Sequence, residues 1–138
     1  MITVDDTDPV LLTMGLHVPV QTKQRARSGN GHWYTPEATQ AFEESARWEM
    51  KLSRIKPIPT DGLRLDVNFF LPSKKVARRA DLDNYLKSLM DAGNGFAWVD
   101  DKQIIEAHMW LRLKRDADPF ITFSVQIGEY AEELIDAK

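Results

Sequence analysis

The stretch 78–103, RRADLDNYLKSLMDAGNGFAWVDDKQ, holds five aspartates: Asp81, Asp83, Asp91, Asp100 and Asp101. A single lysine, Lys87, lies between the two tight pairs. Asp81 and Asp83 stand two residues apart where a helix should begin. Asp100 and Asp101 follow that helix and a turn. Like charges this close repel unless something cationic sits among them. A divalent ion such as Mg²⁺ answers that need, because hard cations take carboxylate oxygens. The chemistry would be metal-assisted hydrolysis, with a bound water made acidic and a phosphoryl oxygen polarised.

Each of these residues also has a plainer use. In an extended segment, residues two apart face the same side, so Asp81 and Asp83 can reach one ion. Equally, Asp83 can cap the helix that follows, and Asp81 can pair with Arg78 or Arg79. Lys87 is four residues after Asp83, which suits either an ion pair on one helix face or a charge held near a scissile phosphate. Asp91 continues that stripe as a partner for Lys87 or a neighbour of the helix cap. Adjacent residues rarely point the same way, so one of Asp100 and Asp101 is expected to be a ligand. The other would bind backbone at the start of a short helical turn, with Gln103 packed close by. The aspartates do not fit an EF-hand loop, which needs glycine at its sixth position and glutamate at its twelfth. His17, His32 and His108 are far apart and lack zinc-ligand spacing, and His108 reads as a satisfied structural histidine. There is no Ser-His-Asp order, phosphate loop or dinucleotide fingerprint.

The chain has 138 residues, 43% of them hydrophobic, with four tryptophans and no cysteine. That is one domain, 1–138, with enough apolar surface for a core; residues 1–9 and the last few are expected to fray. Without cysteine there is no disulfide framework or thiolate site. No secretory leader pattern or long apolar run appears, so the expected place is the cytoplasm. Net charge is −3, but the basic residues cluster: Lys23, Arg25 and Arg27; Lys74, Lys75, Arg78 and Arg79; Arg112, Lys114 and Arg115. An acidic metal pocket rimmed by basic loops suits a phosphodiester substrate.

Periodicity supplies the elements that must position these residues. Residues 10–19 read as a buried strand with Gly15 as a bulge. A basic loop or loose hairpin follows, with its turn at 28–31. Thr35-Pro36-Glu37 opens a helix over 36–54, in which Ala41, Trp48 and Leu52 line one stripe and Phe42 and Ala46 widen it. Pro57 and Pro59 end it. Asp61-Gly62 turns into a strand with Leu63, Leu65, Val67 and Phe69 inward and Arg64, Asp66 and Asn68 outward. A basic loop over 73–80 leads to a helix over 82–92 that buries Leu82, Leu86 and Leu89 and stops at Gly93-Asn94-Gly95. Strands over 103–114 and 119–127 are joined by a hairpin turn at 116–119, and a short helix over 129–138 is anchored by Tyr130, Leu134 and Ile135. The order strand-helix-strand-helix-strand-strand gives an α/β (α+β) fold, a small mixed β-sheet with helices packed on it.

The run Asp81-x-Asp83-Asn84-x-x-Lys87-x-x-x-Asp91, followed by Asp100-Asp101-x-Gln103, resembles the RusA family of Holliday junction resolvases of bacteria and their prophages. The segment PVQTKQRARSGNGHWYTPEATQAFEE is similar to that family's opening, and the likeness covers roughly residues 10–127. The resemblance implies a homodimer of small mixed subunits that nicks two like-polarity strands of a four-way DNA junction symmetrically, in recombination and repair. It implies Mg²⁺, with Mn²⁺ as a substitute, held by Asp81, Asp83 and Asp101, with Lys87 as the catalytic lysine. Two departures stand out. The stretch between Asp91 and Asp100 is one residue shorter, and PVQTKQRAR replaces the proline- and asparagine-rich opening on which junction and sequence preference bear.

The sequence reading is therefore a Mg²⁺-dependent endodeoxyribonuclease of bacterial, prophage or phage origin. Lys23, Arg25, Arg27, Lys74, Lys75, Arg78 and Arg79 would track the DNA backbone. Apolar side chains around Phe96 and Trp98, or on the strand carrying Trp110, are candidates for the dimer contact and equally for core. Two other readings compete. A structure-selective nuclease of flaps, forks or single strands would use the same carboxylates. A non-catalytic DNA-binding module would use the basic loops but leaves five aspartates beside DNA unexplained.

Overall fold

A computed structural model describes residues 10–17, 27–29, 32–34, 37–71, 82–114 and 120–129; of these, 27–29, 32–34, 37–39 and 82–84 are described by their backbone alone. The expected contacts Lys23, Arg25, Lys74, Lys75, Arg78 and Arg79, the ligand Asp81, the turn at 116–119 and all but the first residue of the terminal helix lie outside that set.

The central strand is β4, Leu63–Leu71. It alternates strictly, and Leu63, Leu65, Val67, Phe69 and Leu71 are all buried. That pattern demands cover on one face and neighbours on both edges. β6 (Phe120–Ile127) supplies one edge antiparallel, from Leu63↔Ile127 to Phe70↔Phe120. β5 (Ile104–Leu113) supplies the other edge parallel, from Leu63↔Ile104 to Leu71↔Leu113. β1 (Val10–Leu16) closes the sheet antiparallel to β6, giving the order β1-β6-β4-β5. β5 and β6 are therefore not the hairpin the sequence suggested. β4 lies between them, because its five fully buried inward side chains suit the middle of the sheet, where both edges are paired.

β1 also differs from expectation. It ends at Leu16 and buries only Met14 and Leu16, as an edge strand with one solvent face does. Its irregularity lies between Val10 and Leu12, whereas Gly15 pairs regularly with Thr122. The loose hairpin is present as β2 (Arg27–Gly29) and β3 (His32–Tyr34), which form a separate two-stranded sheet.

Two helices cover the buried face of the sheet. α1 spans Glu37–Leu52 and closes at Arg54, which takes the left-handed conformation with φ 58° before Pro57 and Pro59. Its buried stripe is Phe42, Ala46 and Met50, spaced by four. Ala41, Trp48 and Leu52 belong to the opposite stripe and face solvent; Lys51 lies over the Trp48 ring at 5.9 Å. Glu49 pins β1 to this helix by accepting the His17 backbone N–H at 3.0 Å.

α2 spans Leu82–Gly93. Its buried face is Tyr85, Ser88, Leu89 and Ala92, with Leu86 half-buried at the margin. Tyr85, rather than Leu86, turns to the core and meets Phe69 with ring centroids 5.4 Å apart. Burial raises the Tyr85 phenol above its ordinary pKa. α2 has no basic residue in its last turn. Arg47 of α1 serves instead, donating from Nη2 to Asp91 O at 3.1 Å and from Nε to Ala92 O at 3.3 Å. A guanidinium on the carbonyls of a helix C-terminus satisfies orphan acceptors and opposes the dipole.

The end of α2 is fixed by Trp98. Gly93 O accepts from Phe96 N and Ala97 N, both at 2.9 Å, and Gly95 takes φ 81°. The loop thus folds the fully buried Trp98 back over Gly93. Trp98 is core, which removes it from the candidates for a dimer contact. A methyl group on Gly93 would lie 2.6 Å from Trp98 Cε2. Gly93→Ala is expected to destabilise the fold by about 1–3 kcal/mol through overpacking, measured by urea denaturation.

Candidate functional site

Asp100 and Asp101 divide their work as adjacent residues must. Asp101–Gln103 is one 3₁₀ turn, and Asp100 is its N-cap in an extended conformation. Asp100 Oδ1 accepts from Lys102 N at 2.9 Å, while Gln103 Oε1 accepts from Asp100 N at 2.7 Å. The Asp100 side chain also accepts from Gln103 N, which with the Gln103 Oε1 bond completes a capping box. Gln103 is buried, and its Nε2 donates to Ile58 O at 2.7 Å and Thr60 O at 2.9 Å. Asp100 is therefore spent on backbone. Asp101 is not: among the described residues its half-buried carboxylate takes one side-chain hydrogen bond, from Asn94 Nδ2 to Oδ2 at 3.4 Å.

α2 carries the other residues. Asp83, in its first turn, shares a stripe with Lys87 and Asp91 at four-residue spacing, opposite the buried face. Lys87 is exposed, and the backbone carbonyl of Asp91 is held by Arg47. Asp101 lies beside the other end of the helix, held by the residue that follows Gly93. Ten residues of α-helix rise about 15 Å, so within one subunit α2 keeps Asp83 and Asp101 at opposite ends.

The sheet agrees with that division. The 3₁₀ turn leads into Ile104, which pairs with Leu63 at the start of β4. β1, β4 and β5 end, and β6 begins, at the other end, by the registers Leu16↔Ile121, Phe70↔Phe120 and Leu71↔Leu113. β1 and β4, which precede in sequence the segments that hold the expected DNA contacts, both end there. At that end the open face bears Phe70 stacked on Phe120 at 4.3 Å, with Lys114 Nζ 4.9 Å from the Phe120 centroid. Arg112 lies 5.6 Å over Trp110 and donates to Asn68. The acidic part of the open face is nearer the start of β4. There Arg64 donates to Asp66 at 2.9 Å, which raises its pKa, and Glu106 meets His108 at 2.6 Å. The His108 hydrogen bond is the main cause holding Glu106 below the ordinary carboxylate range. His108 is thus satisfied and structural.

A family model described as endodeoxyribonuclease RusA matches residues 17–126. The chain belongs to the RusA family. Membership makes it a nuclease, a hydrolase that binds DNA, and a Holliday junction resolvase of recombination. A search of curated proteins finds no match to the chain. The RusA match covers β2 to β6 nearly whole, and with them α2 and the Asp100-Asp101-x-Gln103 turn.

Whether the residues suit a divalent ion rests on their donor chemistry. Asp101 offers hard carboxylate oxygen with no cation pair among the described residues, and that is the donor Mg²⁺ and Mn²⁺ take. Among the described residues no three His, Cys, Asp or Glu side chains gather, since Asp81 lies outside them and the Asp83 side chain is not described. Among the described residues, too, no helix is long and apolar enough to cross a membrane.

The sequence reading named Gln103, Asp101 and Trp98, the last as dimer contact or core, but gave Asn94 no role at the site and passed over Arg47. Asn94 stood there only as part of a helix stop. A signal was available, since asparagine between two glycines six residues before two acids has spare donors. What it lacked was the fold-back of Trp98.

Proposed function

We propose that this resolvase works as a homodimer, nicking two like-polarity strands of a four-way junction with Mg²⁺ or Mn²⁺ bound by Asp81, Asp83 and Asp101. The observation that supports the reading is that residue 83 lies in the first turn of α2 while Asp101 lies beside its last. An ion binds its ligand oxygens at roughly 2.0–2.6 Å, far less than the length of that helix. A two-fold axis that sets the Asp101 end of one copy against the Asp83 end of the other would build two equal centres for two equal cuts. Exposed apolar side chains are present for such a contact, among them Trp48 and Leu52 on α1 and Trp110 and Leu113 on the edge strand β5.

The bound ion would lower the pKa of a water and polarise the phosphoryl oxygen. The residues do the rest. Asp81, Asp83 and Asp101 hold the centre. Lys87, one turn along from Asp83 and exposed, meets charge that grows on the phosphate in the transition state. Attack in line leaves 5′-phosphate and 3′-hydroxyl ends. Lys23, Arg25, Arg27, Lys74, Lys75, Arg78 and Arg79 hold phosphates and position the arms without reading sequence. That β1 and β4, which precede these segments, end at one end of the sheet supports that role.

A labelled synthetic four-way junction tests the proposal. Paired symmetric nicks are expected with Mg²⁺ or Mn²⁺, and none with EDTA. Cutting confined to flaps or single strands would move the activity to another branched target. Tight junction binding with no cutting of any substrate would reduce the protein to a binding module. A strict monomer by light scattering at micromolar concentration would remove the shared centre.

A further inference from the structure

We propose that Asn94 is a positioning residue that sets the orientation of the Asp101 carboxylate through the buried indole of Trp98. The inference rests on the metal-binding reading of Asp101 and adds to it a residue that touches neither the ion nor the DNA.

The chain of contacts starts in the core. Trp98 is fully buried, its ring edge-on to Phe123 with centroids 6.1 Å apart. The ring packs against Gly93 on one side, so the indole is held by the core rather than by solvent-facing contacts. The indole N–H is a donor and never an acceptor. It donates to Met90 O at 3.2 Å and to Asn94 Oδ1 at 3.1 Å. An asparagine amide has two faces that differ only in which atom is the donor. Trp98 decides between them, since only the amide oxygen can face an N–H.

The consequence appears on the far side of Asn94. With its oxygen committed to Trp98, the NH₂ group points to Asp101 Oδ2 at 3.4 Å. The backbone of Asn94 is held as well, by Asn94 N donating to Asp91 O at 3.3 Å and by its bridge to Trp98. A neutral donor holds a carboxylate's orientation without cancelling its charge. Oδ1 of Asp101 then stays open to a cation, which a lysine or arginine in place of Asn94 would displace. Partners of this kind orient metal ligands generally. At 3.4 Å the contact is long, and such bonds commonly tighten when a site is loaded.

A plain helix-stop role for Asn94 makes a different forecast, and Mn²⁺ binding separates the two. The full chain is titrated with Mn²⁺ by calorimetry, as wild type, Asn94→Ala, Trp98→Phe and Asp101→Asn. Asn94→Ala is expected to weaken Mn²⁺ binding by about 10–100-fold, the usual effect of losing such a partner. Junction cutting should fall at low Mn²⁺ and return towards the wild-type rate at saturating Mn²⁺. Trp98→Phe, which removes the indole N–H together with the five-membered part of the ring, should weaken Mn²⁺ binding in the same sense, with its urea midpoint measured alongside to separate the lost hydrogen bond from the lost packing. The double variant should be no worse than Asn94→Ala alone. Trp98→Phe also serves if Asn94→Ala fails to fold.

Two results would overturn the assignment. One is wild-type Mn²⁺ affinity in both variants while Asp101→Asn loses it. The other is a loss of cutting that saturating Mn²⁺ does not restore. If wild type binds no Mn²⁺, or Asp101→Asn binds it as wild type does, the metal reading of Asp101 falls and takes this one with it.

Discussion

Asp101→Asn is expected to lower junction cleavage by about 10²- to 10³-fold, the scale on which removal of one preorganised electrostatic group acts. The protein should stay folded. An amide is nearly isosteric with the carboxylate, and its oxygen can still accept from Asn94. Junction binding should hold or tighten, because a negative charge beside phosphate is removed. The neighbour gives the control. Asp100 acts as an N-cap through Oδ1, and asparagine caps as well as aspartate does. Asp100→Asn should therefore cut at close to the wild-type rate. The two variants differ by one position, so a nuclease assay on both separates ligand from cap. A mixing experiment then reads the shared centre. Asp83→Asn and Asp101→Asn should each be inactive alone. If each centre takes Asp83 from one copy and Asp101 from the other, mixed dimers contain one intact centre, and nicking should reappear when the two variants are mixed. Inactivity of the mixture, with exchange of subunits demonstrated, would place each centre within one chain.

Gln103→Ala is expected to destabilise the protein by on the order of 3 kcal/mol, measured by urea denaturation. The estimate follows from three hydrogen bonds lost at a buried position, each orphaned group costing about 1–3 kcal/mol with partial relief by water. Ile58 O and Thr60 O lose their donor, and Asp100 N loses its acceptor. Gln103→Glu should be nearly as harmful, because a carboxylate would face two carbonyl oxygens in place of an NH₂. Activity should fall with stability, as the turn that presents Asp101 is built on these bonds. An unchanged urea midpoint in either variant would mean that the turn is held by the chain around it.

Much of this was legible in the residues. The alternation from Leu63 to Leu71 showed the central strand and its inward face. The Asp-Asp-x-Gln run showed that one acid would cap and the other would be free. The stops at Pro57 and at Gly93-Asn94-Gly95 are where they were expected. What the sequence could not decide was which of two plausible surfaces meets the core. α1 has apolar residues on two stripes. The choice fell to Phe42, Ala46 and Met50 because of what the sheet offered them, leaving Trp48 60% and Leu52 63% exposed. Strand pairing failed for a related reason. Two strands close in sequence look like a hairpin, but β4 competes for both and takes both. The Asn94 link was hidden because it depends on a ring lying over a glycine, and no spacing rule encodes that.

The strand order has a consequence for how the molecule comes into being. β1 has a single partner in the sheet, β6, so Val10 must wait for Gln126 and Leu16 for Ile121. Contacts so distant along the chain form slowly, since closing a long loop precedes any reward for it. On a ribosome the β4-α2-β5 unit can assemble while β6 is still being made, but one edge of β4 stays bare until then. An unpaired edge next to a buried face invites association with another chain. The growing polypeptide is thus exposed to mispairing for most of its synthesis, and the last strand to emerge is the one that ends the risk.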